Sequence, residues 1–434
     1  MKKIFILLTG ILALNAKAQP IISKWKMNNN GELASYWQNT NGSPNNPTFV
    51  FNTSTSLADV TKVCYDTSYV WIKSEGMTVN MGKFLNPGAP SAQNYTFRLP
   101  RKPTVPVTKT TSPLVGAIGI LINGVPIYGL SNAHYYNGSG NNGMGVGTWN
   151  VEVYLSEGFV LDTTLGAHPQ QQGAYHTHAK PYRLFSSTAS NVHSPLIGFA
   201  FDGNPVYGPY GYSVATDNLS TVSRMKTGFT LRNITTRTSL PDGTALTAAN
   251  YGPAVNSTYP LGTYSEDYEW LLSNGGDLDI YNGRFCVTPE YPSGTYAYFV
   301  TINASGTPEY PYIIGPQYYG APESDNIIKG KVITVPAGTT CFTSYSTSVL
   351  QTENKSQILT YPNPSSGVFN ISLPDITGEA EVVIYDATGK VVYDNKTNSG
   401  FITVDLRGQS LKGIFILKVI DAGKIYTTKM VMGD

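Results

Sequence analysis

Gly116 to Gly129 reads GAIGILINGVPIYG, an apolar run of strand length, rich in Ile and Val and punctuated by Gly and Pro. β-Branched residues suit the pleated, half-buried surface of a sheet, whereas Gly and Pro disfavour a helix interior. The same texture returns in TSYVWIKS (67–74), WNVEVYL (149–155) and TYAYFVTIN (295–303). No period of self-similarity joins these runs, so neither a propeller nor a solenoid is indicated. Only SEDYEWLLS (265–273) reads as a helical turn. The expected fold class is mainly β.

The whole chain agrees with that reading. At 434 residues it exceeds the size at which one core keeps growing, so two or more domains are expected. Charged residues make up only 13%, while Gly 43, Pro 28 and Tyr 30 favour short strands and many turns. The net charge of +1, with no Lys/Arg block, supplies no concentrated positive field for a phosphate backbone, so nucleic acid is not an expected partner. The first residues, MKKIFILLTGILALNAKAQP, give Lys2 and Lys3, an apolar stretch and then Ala16-Lys17-Ala18. That is the pattern of a signal peptide over 1–18, cleaved after Ala18. The junction has no Cys for lipidation, and no later apolar stretch is long enough for a transmembrane segment, so a soluble exported chain is expected. Of Cys64, Cys286 and Cys341, any two can form one disulfide, and none has metal-knuckle spacing. The sequence has no GxSxG elbow, phosphate-binding glycine loop, zincin helix or CxxC pair.

Four of the five histidines, His168, His176, His178 and His193, share one stretch, and HSPLIGFAFDGNPVYGPYGY (193–212) follows directly. In a strand, His176 and His178 project from the same face and can chelate one ion, with His168 arriving from the preceding loop and His193 from the next turn. Imidazole donors without thiolate suit Zn²⁺ or Cu²⁺. Asp202, in the turn Asp202-Gly203-Asn204-Pro205, is a candidate carboxylate behind the imidazoles, although Asp-Gly is also ordinary turn chemistry. Tyr175 and Tyr207 complete that outer set. Asp277, Asp279 and Asn282, before Gly283, alternate oxygen donors in a way that suits Ca²⁺, without the EF-hand's spacing or its closing Glu. Two tyrosine-rich segments, PVYGPYGY and YPYIIGPQYYG, are candidate walls of a cleft that holds polysaccharide. The alternating Tyr296 and Tyr298 read instead as one buried face of a strand.

Residues 346–357, STSVLQTENKSQ, have the polar composition of a linker. Beyond them, six or seven short alternating runs in under eighty residues imply a small Ig-like β-sandwich over 358–434. Tyr361-Pro362-Asn363-Pro364 with Gly367 and Phe369, Tyr385-Asp386 with Gly389-Lys390, Val404-Asp405-Leu406 and Gly413-Ile414-Phe415 follow in order. That series resembles the type A C-terminal sorting domain of the type IX secretion system. The resemblance implies an address read by the type IX machinery and a secreted or cell-surface cargo.

The region 19–345 carries a second ordered series. QNYTFRLPRKP (93–103) precedes GAIGILINGVPIYG and the histidine stretch, and PDGTALTAANYGP (241–253), EDYEWL (266–271), DLDIYNGRFCVTPEYPSGTYAYFVT (277–301) and YPYIIGPQYYG (310–320) follow. Together they resemble the YHYH family from about Val63 to Gly320. The signature tetrad reads Tyr175-His176-Thr177-His178, so its second aromatic position holds Thr177 while both histidines stand. The resemblance implies a β-rich domain and no established activity, so function has to be argued from the site.

Overall fold

The computed structural model describes residues 19–342 and 358–433, apart from 87, 171, 329–330, 362, 364, 374–377, 408–410 and 422–423. The expected signal peptide with its Ala18 cleavage point, and the linker 346–357, lie outside the described residues. The chain divides into two compact units after residue 346.

The first unit is built on a mixed eight-stranded sheet. Its strands are β1 (Ala117–Leu121), β2 (Pro126–Tyr128), β3 (Ala167–Pro169), β4 (Tyr175–Thr177), β5 (Leu196–Ala200), β6 (Pro205–Tyr207), β7 (Gly283–Cys286) and β8 (Thr295–Phe299). They lie in the order β3-β4-β2-β1-β5-β6-β8-β7. GAIGILINGVPIYG supplies β1 and β2, paired antiparallel around a turn at Gly124, whose φ of +80° disfavours other residues. Gly198 in β5 faces the backbone of β1, where a Cβ would meet the Ile120 carbonyl at 2.6 Å. Two central strands thus approach as closely as they do because that site carries no side chain. Ile120, Leu121, Ile197, Phe199, Tyr298 and Phe299 are fully buried, so the sheet is the centre of the core.

A four-stranded antiparallel sheet packs beside it, with the strands Thr340–Phe342, Val60–Tyr65, Tyr69–Ser74 and Tyr95–Pro100 in that order. Phe97 meets Phe201 at 5.4 Å between ring centroids, and Ser74 Oγ donates to the Gly124 carbonyl at 3.0 Å. Cys64 and Cys341 stand opposite each other in this sheet and form a disulfide, leaving Cys286 buried as a thiol. The segment 265–273 departs from the helical expectation. Only Ser265–Asp267 and Leu272–Asn274 are single helical turns, and Tyr268–Trp270 between them is a strand paired with Phe229–Leu231. The first turn closes on the buried Asp267 carboxylate, which accepts from Gly262 N, Tyr264 N and the Arg237 guanidinium. The backbone then leaves in an extended conformation.

The second unit is sandwich-like. One sheet contains Leu359–Tyr361, Val368–Ser372 and Phe401–Asp405, and the other Val391–Thr397, Ala380–Asp386, Gly413–Asp421 and Lys424–Met432. Alternation along Gly413–Asp421 turns Phe415, Leu417 and Val419 inward, where they join Phe369, Ile371, Val382 and Ile384 in a separate core. Among the described residues no helix is long and apolar enough to cross a membrane.

Candidate metal centre

Strands β3 and β4 form an antiparallel hairpin at the edge of the main sheet, with His168 directly opposite His176. The two-residue period of β4 then brings His178 to the same face. Ligand nitrogens of His168, His176 and His178 all lie within 4.8 Å of one another, and all three side chains are buried. Thr177 points the other way, its Oγ donating to the Leu165 carbonyl at 2.6 Å.

The orientation of the rings matters more than their proximity. His176 Nδ1 lies 2.9 Å from the Ala174 carbonyl, His178 Nδ1 3.0 Å from the Gly129 carbonyl, and His168 Nδ1 3.0 Å from Asn86 Oδ1. Each of these oxygens only accepts, so each Nδ1 carries a proton and each ring, when neutral, presents a lone pair at Nε2. The three Nε2 atoms converge. Those of His176 and His178 are 2.8 Å apart, and His168 Nε2 is buried without a hydrogen bond. Two lone pairs at that separation repel unless something electrophilic stands between them.

A fourth donor comes from a place that sequence reasoning missed. The helix α1 (Val153–Glu157) follows WNVE and ends on Glu157, whose Oε2 is 3.3 Å from His168 Nε2 and 3.8 Å from His178 Nε2. Burial pushes the Glu157 carboxyl up, but the contact with His168 and the charges of His178, His168 and His134 outweigh it, and the net shift is downward. Burial, followed by the neighbouring imidazoles, pushes His176 well below the usual histidine range and His178 down to about 4. His176 and His178 are therefore neutral at pH 7, the state in which imidazole binds metal. Tyr128 of β2 stacks on His176 at 3.8 Å and closes one side. Asn86 was also missed. Its only signal in the sequence is an Asn before a Pro, which is common loop chemistry.

The other candidates are placed elsewhere. His193 does not join the trio: its Nδ1 donates to the Ser194 carbonyl, and its ring is packed against Tyr207, Tyr212 and Phe299. Asp202 is fully buried and is consumed by its own turn and by β8. It accepts from Asn204 N, Asn204 Nδ2, the Tyr298 hydroxyl and Gly320 N, and none of these partners is a histidine. The Tyr175 hydroxyl donates to Asp162, and the Tyr207 hydroxyl meets Thr288 and Glu290, so neither holds an imidazole.

The residues of the calcium expectation have hydrogen bonds of their own. Asp279 Oδ1 accepts from Tyr281 N, Gly283 N and the Tyr296 hydroxyl, while Asn282 donates its amide to the Phe299 and Ile313 carbonyls. Asp277 accepts from Lys226 N. The Asp277 and Asp279 oxygens thus serve local turns, Asn282 Oδ1 is buried without a hydrogen bond, and among the described residues the trio is the group of His, Cys, Asp and Glu side chains that could hold a metal. In the tyrosine-rich segments, Tyr207 and Tyr318 are core residues without exposed surface, so they form no cleft wall. Tyr296 and Tyr298 are buried as expected.

Comparison with known proteins fits this anatomy. Residues 96–311 match the family described as YHYH protein. The chain is a YHYH-domain protein. The match contains the whole trio together with Glu157, while Asn86 precedes it. Residues 359–433 match the secretion system C-terminal sorting domain, which directs this YHYH-domain protein through the type IX machinery to the cell surface or the extracellular space. A curated relative, ulvan lyase NLR42 from Nonlabens ulvanivorans, is 37% identical over 73 residues. That stretch is 17% of this chain and 14% of the lyase.

Proposed function

We propose that the YHYH domain is a metal-binding module of a type IX cargo, holding one Zn²⁺ or Cu²⁺ through the Nε2 atoms of His168, His176 and His178 and through Glu157 Oε2. The observation that carries this reading is the convergence of three Nε2 lone pairs whose tautomers are set from behind by the Ala174, Gly129 and Asn86 oxygens. Three neutral imidazoles and one carboxylate make a donor set suited to either ion. Tetrahedral bonds of about 2.0 to 2.1 Å place neighbouring nitrogens about 3.4 Å apart, so His176 and His178 need to part by only about half an ångström from their 2.8 Å separation. The four donors come from α1, β3 and β4, so the ion ties the edge hairpin to the helix. With all four positions filled by protein, the metal acts by holding the fold.

An N-terminal signal peptide cleaved after Ala18 and the sorting domain give this module its route out of the cell. Polysaccharide binding through the tyrosine-rich segments has less support, because Tyr207 and Tyr318 lie inside the core. The deciding experiment is metal analysis of full-length protein purified without an affinity tag. One equivalent of zinc or copper is expected in the wild type and none in the His176→Ala/His178→Ala double variant. Metal-free wild-type protein that does not take up either ion on titration ends the proposal.

A further inference from the structure

At the other end of α1 from Glu157, a cavity of about 380 Å³ is lined by Glu152, Tyr154, Phe229, Tyr268, Tyr310 and Tyr312, among others. Its aromatic walls meet at steep angles: Tyr310 and Tyr312 at 77° and 5.9 Å, Phe229 and Tyr310 at 76° and 5.3 Å. Tyr268 doubles the wall by stacking on Tyr310 at 4.1 Å, and Tyr154 packs on Tyr312 at 5.4 Å. Aromatic faces carry the negative part of the ring quadrupole, so each ring face turned to the cavity adds negative potential there.

Glu152 adds a formal charge. Its side chain is almost completely buried and is held by neutral donors only: Tyr154 N, Leu155 N and the Tyr312 hydroxyl. No Lys, Arg or His lines the cavity. The other carboxylate there, Glu309, has its own ion pair with Arg224 at 3.5 Å. Burial, and after it the charge on Glu152, pushes the Tyr268 and Tyr312 hydroxyls upward, so these phenols stay neutral; burial also pushes the Glu152 carboxyl up against the hydrogen bonds that hold it down, and a cation in the pocket would favour its ionised form. A desolvated carboxylate facing a tyrosine corner, without a basic partner, is complementary to a compact cation with an apolar surface. Phosphate, sulfate and carboxylate ligands meet like charge, and a bare metal ion would exchange its water for rings that cannot coordinate it.

We propose that this cavity binds a small organic cation of the quaternary or alkylated ammonium class, with its charge over the tyrosine faces and directed at Glu152.

The test is isothermal titration of the full-length protein with choline and with 3,3-dimethyl-1-butanol, its uncharged carbon isostere. Saturable choline binding at one site is expected, with the isostere about tenfold weaker or worse. Tyr268→Leu and Glu152→Gln should each weaken choline about fivefold or more. Glu152 also caps α1, so thermal melts accompany both variants, and if Glu152→Gln does not fold, Tyr268→Leu and the isostere decide alone. Equal affinity for choline and the isostere overturns the proposal, as does folded wild-type protein that gives no heat with choline. Tyr268→Leu binding choline like wild type overturns it too.

Discussion

Two buried histidine environments grow from one short stretch of this chain, and they differ in one respect. In both, the ring is buried and Nδ1 is anchored by an oxygen: Ala174, Gly129 or Asn86 for the trio, and Ser194 for His193. In the trio the free nitrogens face one another and a carboxylate, whereas His193 Nε2 is buried without a hydrogen bond among Tyr207, Tyr212 and Phe299. Burial and anchoring are therefore common to a ligand set and to a packing residue. What distinguishes the two is whether neighbouring lone pairs share a point in space.

The sharpest way to break this comparison is a paired substitution. His178→Ala should lose nearly all of the thermal stabilisation that zinc or copper confers, which is about 4 kcal/mol at a thousandfold excess over Kd. His193→Ala should lower the baseline stability by leaving a void in the aromatic packing, yet keep the full metal-dependent shift. Scanning calorimetry with and without metal reads both, and equal loss in the two variants would erase the distinction drawn here.

A smaller effect is expected from pH alone in metal-stripped protein. The His178 pKa lies near 4 in the folded state and near 6.5 unfolded, so the unfolded chain binds more protons between those values. Stability is then fully present above pH 6.5 and is lost as pH falls toward 4, by an amount on the order of 3 kcal/mol from this group. His176 is shifted in the same direction and adds to the loss. Denaturant melts across that window should show the decline, and metal should delay it. A flat profile from pH 7 to 4 would mean that the imidazoles are not held neutral.

The smallest expected effect lies behind the ligands. Asn86→Ala removes the acceptor that fixes the His168 tautomer while leaving every proposed donor in place. Loss of such an outer partner typically costs about 10 to 100-fold in metal affinity. The lower end is expected here, because His176 and His178 keep their carbonyl anchors. Competition with a chromophoric chelator measures it, and unchanged affinity would show that the Asn86 contact does not orient His168 for metal.

Which parts of this arrangement the chain displays in one dimension follows from how local each determinant is. The alternation in GAIGILINGVPIYG and TYAYFVTIN is a property of neighbouring residues, and the mainly β fold could be read from it. His176 and His178 share a face through the strand period alone, and His168 lies across a short hairpin. Glu157 and Asn86 have no such signature, since each reaches the trio only through tertiary packing of α1 or of a distant loop. The misplaced residues fail in the opposite way. Asp202 and Asp279 look like free oxygens in the sequence, but their lone pairs are already engaged by hydrogen bonds, and Asn282 turns its amide protons to the Phe299 and Ile313 carbonyls while its Oδ1 is buried without a partner. Tyrosines in Gly/Pro-rich segments suggest an open surface, yet Tyr207 and Tyr318 send their hydroxyls inward to Thr288, Glu290 and the Ile118 carbonyl. Cysteine pairing was equally beyond reach, because Cys64 and Cys341 become neighbours only when the last strand of the first unit closes its sheet.

The carbonyl anchors behind the histidines have a further consequence in landscape terms. Natural sequences fold readily because their local contacts mostly agree with one another. Here two backbone carbonyls and the Asn86 side chain hold three rings in the one orientation in which their free nitrogens oppose each other, so the hairpin is a frustrated patch in an otherwise consistent domain. A cation entering that patch would convert the conflict into agreement without turning a ring. Local opening of the β3-β4 edge, followed by amide hydrogen exchange, should therefore differ between the two conditions more than exchange anywhere else in the main sheet.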